Sequence, residues 1–326
     1  MKLLKEFKEE LLDNLLRIHW KHWSALGVAS HVGEEDNWII DLESLIVSTL
    51  YTGKFDKRLL STSIEWLMQN GEWVNYSRLK RIGKYYCKAN KELKVSLLPE
   101  SLISLLGKIS KSANREKSLE TLGDAQILEN LTDEYINIFK QIEIRGIATE
   151  PKIQKSCLLQ LHLRGIFGIN ARAEILMYFL SSKEGNSNQI AKEIYFDQKI
   201  VYRILERWAE AGFVGKEERG KEGIYFLKNC DELSRMLNLR NISKYINWGR
   251  TFYFFSRLLK VLHTKPYSED EYLLSSLFRD LFGEAKVIGR YLNVLFPDAG
   301  LYKGASFFSP FASTILETVR KIGKGE

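Results

Sequence analysis

The chain has 326 residues, 45% of them hydrophobic and 27% charged, with a formal charge of +7 and a pI near 9.0. That length predicts two or three domains, and five prolines with no low-complexity block exclude an extended disordered protein. The positive excess fits a polyanionic partner but is small for the length, so the placement of the cations must decide.

At the N-terminus, MKLLKEFKEELLDNLLRI alternates charge with leucine at helical spacing and lacks the unbroken apolar stretch of a secretory signal. It predicts an amphipathic helix to about Trp23. Further helices are expected from Leu42 to Tyr51, Lys57 to Asn70 and Tyr76 to Lys88. Asp41, Asp56 and Asn75 are placed to accept from free N–H groups at helix starts, and Gly53 and Gly71 suit the left-handed residue that ends a helix. Leu59, Leu60, Ile64, Leu67 and Met68 then form one buried stripe. Residues 1–110 read as a helical N-terminal domain.

The polar SKSANREKS opens a connecting segment over 111–150, and Thr149-Glu150-Pro151 marks the start of a third segment, 151–230. Residues 231–326 read as a helical C-terminal region broken at Lys265-Pro266, Gly283 and Phe296-Pro297. Its Trp248, Phe252, Phe255 and Leu259 share a helical stripe that, with Phe307, Phe308 and Phe311, serves either a core or a homodimer contact, with core the expected use. The aromatic run from Tyr245 carries Arg250, Arg257 and Lys260, which argues against a membrane span. Cys87, Cys157 and Cys230 match neither a disulfide framework nor a zinc site, as expected of a chain in a reducing cytoplasm.

Between Ala173 and Leu227 the order is helix, helix, turn, helix and two short strands. NQIAKEI begins after Ser187, read as its N-cap, and turns Ile190, Ala191 and Ile194 inward. After the turn Tyr195-Phe196-Asp197, Val201, Leu205 and Trp208 face the core with Ile204 flanking. Gln198, Lys199, Tyr202, Arg203 and Arg207 face outward. Strands are expected over 213–216 and 224–227, joined by EERGKEG. These residues resemble the winged helix-turn-helix of MarR-like and ArsR-like regulators. The resemblance implies a mainly α fold, with a helical N-terminal domain, a central winged helix-turn-helix bearing a small β-wing and a helical C-terminal region.

A helix of this kind fits the major groove of DNA. Gln198 and Arg203 are the types that pair two-pronged with adenine and guanine, while Lys199, Tyr202 and Arg207, with Lys216, Arg219 and Lys221 of the wing, suit phosphates. Glu217, Glu218 and Glu222 oppose the wing cations, so a protein-docking use of the same unit stays open. A second basic helix, NYSRLKRIGKYYCKANKELK, sets Arg78, Lys80, Arg81, Lys84, Lys88, Lys91 and Lys94 against Glu92 alone. Helical spacing puts Arg78, Arg81, Lys84 and Lys88 on one face, suited to phosphates, with a solvated face as the alternative.

His19, His22 and His31 raise a metal site, but with Trp20 and Trp23 interleaved a packed aromatic corner is expected, and Trp38, Trp66 and Trp73 read as core. No Gly-rich phosphate loop, Gly-x-Ser-x-Gly elbow or His-Glu-x-x-His stands in the chain, so neither an enzyme nor a cofactor is expected. WKHWSALGV and LRGIFGINARAEIL resemble long bacterial winged-helix proteins that accompany nucleotidyltransferase-type toxins. That resemblance implies an antitoxin-like autorepressor, with double-stranded DNA and a toxin as partners. The alternative is a protein-interaction module that docks a toxin without reading DNA.

Overall fold

Asp41, Asp56 and Asn75 each accept a backbone N–H at the start of a helix, as expected from their sequence positions. In the computed structural model, which describes residues 2–31, 37–89, 96–109, 131–181, 184–239, 242–267 and 269–326, the N-terminal segment holds α1 (Lys2–Ala25), α2 (Leu42–Thr52), α3 (Lys57–Asn70), α4 (Tyr76–Cys87) and α5 (Glu100–Ile109). Then come α6 (Asp133–Phe139), α7 (Leu159–Phe167), α8 (Ala171–Ser181), β1 (Glu184–Asn186), α9 (Ser187–Ile194), α10 (Gln198–Glu210), β2 (Val214–Arg219), β3 (Glu222–Leu227) and α11 (Cys230–Met236). The C-terminal segment is α12 (Trp248–Leu262), α13 (Glu271–Tyr291) and α14 (Phe308–Lys324). The first half of the expected connecting segment, from SKSANREKS to residue 130, lies outside the described residues, as do Lys91, Glu92 and Lys94.

The fold is mainly α with one small antiparallel sheet of order β1-β3-β2. Helices from the two ends of the chain share one core. Phe7 of α1 meets Phe278 of α13 and Phe308 of α14 edge-on, at 6.2 and 6.0 Å between ring centroids. Trp38 donates to the Ile322 carbonyl at 3.0 Å, and Trp248 to that of Ile39 at 2.7 Å. The stripe Trp248, Phe252, Phe255 and Leu259 is buried in this core with Phe307, Phe308 and Phe311. Segments read as an N-terminal domain and a C-terminal region therefore form one helical body. Among the described residues no helix is long and apolar enough to cross a membrane.

His19 and His22 are buried against Phe252 and Trp248, with ring centroids 4.7 and 4.5 Å apart, which is the packed corner expected from the interleaved tryptophans. His31 is exposed. The His19 Nδ1 lies 2.7 Å from the Leu15 carbonyl, which can only accept, so the ring proton sits there and Nε2 accepts from the Ser48 hydroxyl at 2.8 Å.

Several local expectations fail for identifiable reasons. Gly53 and Gly71 end their helices at φ −63° and −61°, right-handed. Gly53 serves close approach instead, since a Cβ there would lie 2.8 Å from the Leu60 Cβ and 2.7 Å from the Thr49 carbonyl. Gly283 does not break the chain, because α13 runs through it. The N-cap of α9 is Asn186, one residue before the expected Ser187, in a capping box with Gln189. The expected loop EERGKEG is mostly paired strand: Arg219 stands opposite Glu222, and Gly220 at φ +67° makes the two-residue turn with Lys221.

Candidate nucleic-acid interface

The small unit around the sheet has its own core. Ile190, Ala191 and Ile194 of α9 and Val201 and Leu205 of α10 pack with Ile175 of α8 and Tyr225 of β3, with Trp208 and Ile204 half-buried at the margin. This burial fixes which side of α10 faces out. Gln198, Lys199, Tyr202, Arg203 and Arg207 are all exposed, and Lys199, Arg203 and Arg207, four residues apart, follow one stripe. Arg203 donates to the Lys199 carbonyl at 3.3 Å. With Arg172 of α8, Arg203 and Arg207 also border a cleft of ≈ 220 Å³.

The β2–β3 hairpin contributes little free charge. Lys216 pairs with Glu206 at 2.8 Å, and the same carboxylate accepts from the Tyr225 hydroxyl. Arg219 reaches both Glu184 oxygens, at 2.5 and 2.9 Å, and Glu217 at 3.0 Å. Bonding to Arg219 holds the Glu184 carboxyl below its ordinary value. Lys221 is exposed at the hairpin tip.

On α4 the expected basic stripe divides. Arg81, Lys84 and Lys88 are exposed, but Arg78 is 1% exposed and cannot reach a phosphate. At 100° per residue Arg78 lies 40° from Ile82 and 60° on the other side from Arg81, which puts it on the buried edge. Its guanidinium donates to Asp41, at 2.7 Å from one nitrogen and more closely from another, to Glu43 at 2.6 Å, and to the Ile194 carbonyl at 2.8 Å. Arg164 of α7 mirrors it, bonding Glu43 at 2.7 Å, Glu174 of α8 at 2.5 Å and the Trp73 carbonyl at 2.8 Å.

Two guanidiniums and three carboxylates thus meet in a buried junction that joins α2 and α4 of the helical body to α7, α8 and the end of α9. Burial pushes the Asp41 carboxyl up, and the adjacent Arg78 more than reverses this, so the group sits below the ordinary carboxylate range. Glu43 behaves likewise under Arg164 and Arg78. The turn after α9 is held from the same side. Tyr195, left-handed at φ 58°, lies under the Arg78 guanidinium at 5.7 Å and donates to Asn247 at 2.9 Å.

This junction ties α4 to the end of α9. Between α4 and α9 lies an open groove of ≈ 590 Å³ whose walls carry Lys80, Arg81, Lys84 and Lys88 on one side and Lys192 on the other, with Gln198 also in the lining. Arg81 stands 3.9 Å from Asp197, the N-cap of α10. Lys192 and Asn188 were not singled out from the sequence, and Lys80, counted in the basic run, was left off its expected stripe, although Lys80, Lys84 and Lys88 share a four-residue step that marks one face. Among the described residues no group of His, Cys, Asp and Glu is placed to hold a metal ion. No protein family, curated protein or solved structure matches the chain.

Proposed function

We propose that residues 171–227 are a winged helix-turn-helix and that the protein is a DNA-binding transcriptional regulator in which α10 enters the major groove. The element order and the β1-β3-β2 sheet support the fold reading. The observation that carries the function is the outward face of α10, where Gln198, Lys199, Tyr202, Arg203 and Arg207 are all exposed on a helix whose opposite face is locked into a core. In this reading Gln198 and Arg203 read base edges and the other three hold phosphates. The sequence resemblance makes an antitoxin-like autorepressor the form of regulator proposed.

The test is a mobility-shift titration of the gene's own promoter against random duplex, with Lys199→Ala/Arg203→Ala beside the wild type. Loss of a two-pronged base contact costs about 1–3 kcal/mol, so promoter preference should fall roughly 5- to 150-fold while random binding changes less. An unchanged preference would sink the groove assignment.

A second reading, a protein-docking module with a toxin as its partner, is favoured by one observation: Lys216 and Arg219 of the wing are neutralised within the unit. It predicts a stoichiometric complex with a neighbouring gene product and promoter binding indistinguishable from random binding.

A further inference from the structure

We infer that the groove between α4 and α9 grips the sugar-phosphate strand bordering the DNA major groove beneath α10, and that this groove, in place of the wing, adds to the phosphate contacts of α10 in the sequence-independent part of binding. The inference rests on the reading of α10 as the groove-entering helix.

Charge is the first support. Lys80, Arg81, Lys84 and Lys88 descend one face of α4, Lys192 faces them from α9, and among the described residues the groove lining carries no acidic one. Asp197 stands 3.9 Å from Arg81, and at that distance between half-exposed groups it removes little of the field, while Glu100 borders an adjoining cleft with Lys80 and Lys84. The wing differs: Lys216 and Arg219 already bond carboxylates, which phosphates would have to displace.

Position is the second. Gln198, the first residue of α10, lines the same groove, so the groove opens at the end of α10 that points to base edges. A helix in a major groove ≈ 12 Å wide has a phosphate strand at each side within reach of a lysine. Rigidity is the third. Arg78 bonds Asp41 and Glu43 on one side and the last carbonyl of α9 on the other, so the two walls hold a fixed separation. Two walls carrying like charge need such a tie.

Counterion release makes the inference measurable. Each phosphate neutralised adds about 0.9 to the slope of log affinity against log salt, so a variant that neutralises one phosphate fewer is spared a roughly 3.5-fold fall in affinity over a fourfold rise in salt. The full-length chain and the variant Lys80→Gln/Lys84→Gln/Lys88→Gln/Lys192→Gln are titrated by anisotropy with random duplex of about 30 bp, promoter duplex and oligo-dT, from about 50 to 200 mM KCl. All four side chains are exposed, so the variant keeps its core.

The expected result is a slope lower by about 2–4, equal on random and promoter duplex, with promoter preference retained. An unchanged slope overturns the inference. So does a loss confined to the promoter, which would make the groove a reader of bases, or one confined to oligo-dT, which would make it a single-strand site. Failure of the α10 reading shows elsewhere, as unchanged promoter preference in Lys199→Ala/Arg203→Ala.

Discussion

Replacing Arg78 by methionine removes a buried guanidinium and leaves the rest of α4 in place. Asp41 loses its cation, Glu43 keeps Arg164 alone, and the Ile194 carbonyl loses its donor. Breaking a buried ion pair from one side costs about 3–5 kcal/mol, a large share of the ~5–15 kcal/mol that typically stabilises a native protein. Urea unfolding of Arg78→Met near pH 7, followed by tryptophan fluorescence, should show that loss.

The pH dependence carries a sign that a simple packing defect lacks. In the wild type the Asp41 carboxyl sits below its ordinary 3.8, so its contribution is present above that value and is lost as pH falls through the folded-state value. In Arg78→Met burial acts without the arginine and raises the same carboxyl above 3.8, so the folded state takes up a proton before the unfolded one. The stability gap between the two proteins should therefore narrow on acidification from about pH 7 to 4, and Asp41→Asn in the variant background should recover part of the loss. A gap under about 1 kcal/mol near pH 7, or one unaltered by acidification, would refute the electrostatic account of the junction.

Burial pushes the His19 ring down to about 3, against the pull of its bond to the Leu15 carbonyl. The neutral ring thus contributes stability in full above its ordinary 6.5 and loses it as pH falls toward 3, at about 1.4 kcal/mol per pH unit. His19→Gln should lack that slope, and parallel acid limbs in the two proteins would argue against it. At Gly249 a Cβ would sit 2.4 Å from the Tyr195 hydroxyl oxygen, so Gly249→Ala should displace Tyr195 and cost about 1–3 kcal/mol, with faster amide exchange at the turn between α9 and α10. Gly283→Ala, on open helix surface, should instead stabilise by up to about 1 kcal/mol. Equal midpoints for the two glycine variants in urea would contradict both assignments.

Features set by neighbours in sequence were the legible ones. Asp41, Asp56 and Asn75 cap helices because a short acceptor just before an apolar repeat needs only its own next turn. The inward residues of α9 and α10 were readable from period alone. Arg78 was not, because the partners that draw it inward lie 37 and 35 residues away at Asp41 and Glu43, and the intervening chain gives no local sign of them. Nor was β1, since three residues, one of them glycine, show no alternation. Gly53 illustrates a different ambiguity: glycine serves positive φ and close approach alike, and the Leu60 side chain that decides between them belongs to the next helix. Lys192 stood in plain view within SNQIAKEI, yet only the packing of α9 beside α4 gives it neighbours of like charge.

The sharing of one core by α1 and α14 has a consequence for synthesis. Trp38 bonds the carbonyl of Ile322, 284 residues later, whereas the unit of α8 to β3 has one core drawn from 171–227 alone, and its α8 packs outward on Leu159 and Leu163 of α7 and on Ile39. On the ribosome the inner unit leaves the tunnel whole while its host still lacks α12, α13 and α14, so the smaller body should fold first and wait for the larger. The protein is in that respect an insertion that matures ahead of the scaffold around it, and a nascent chain halted once β3 has emerged would carry a finished α10 on an unfinished support.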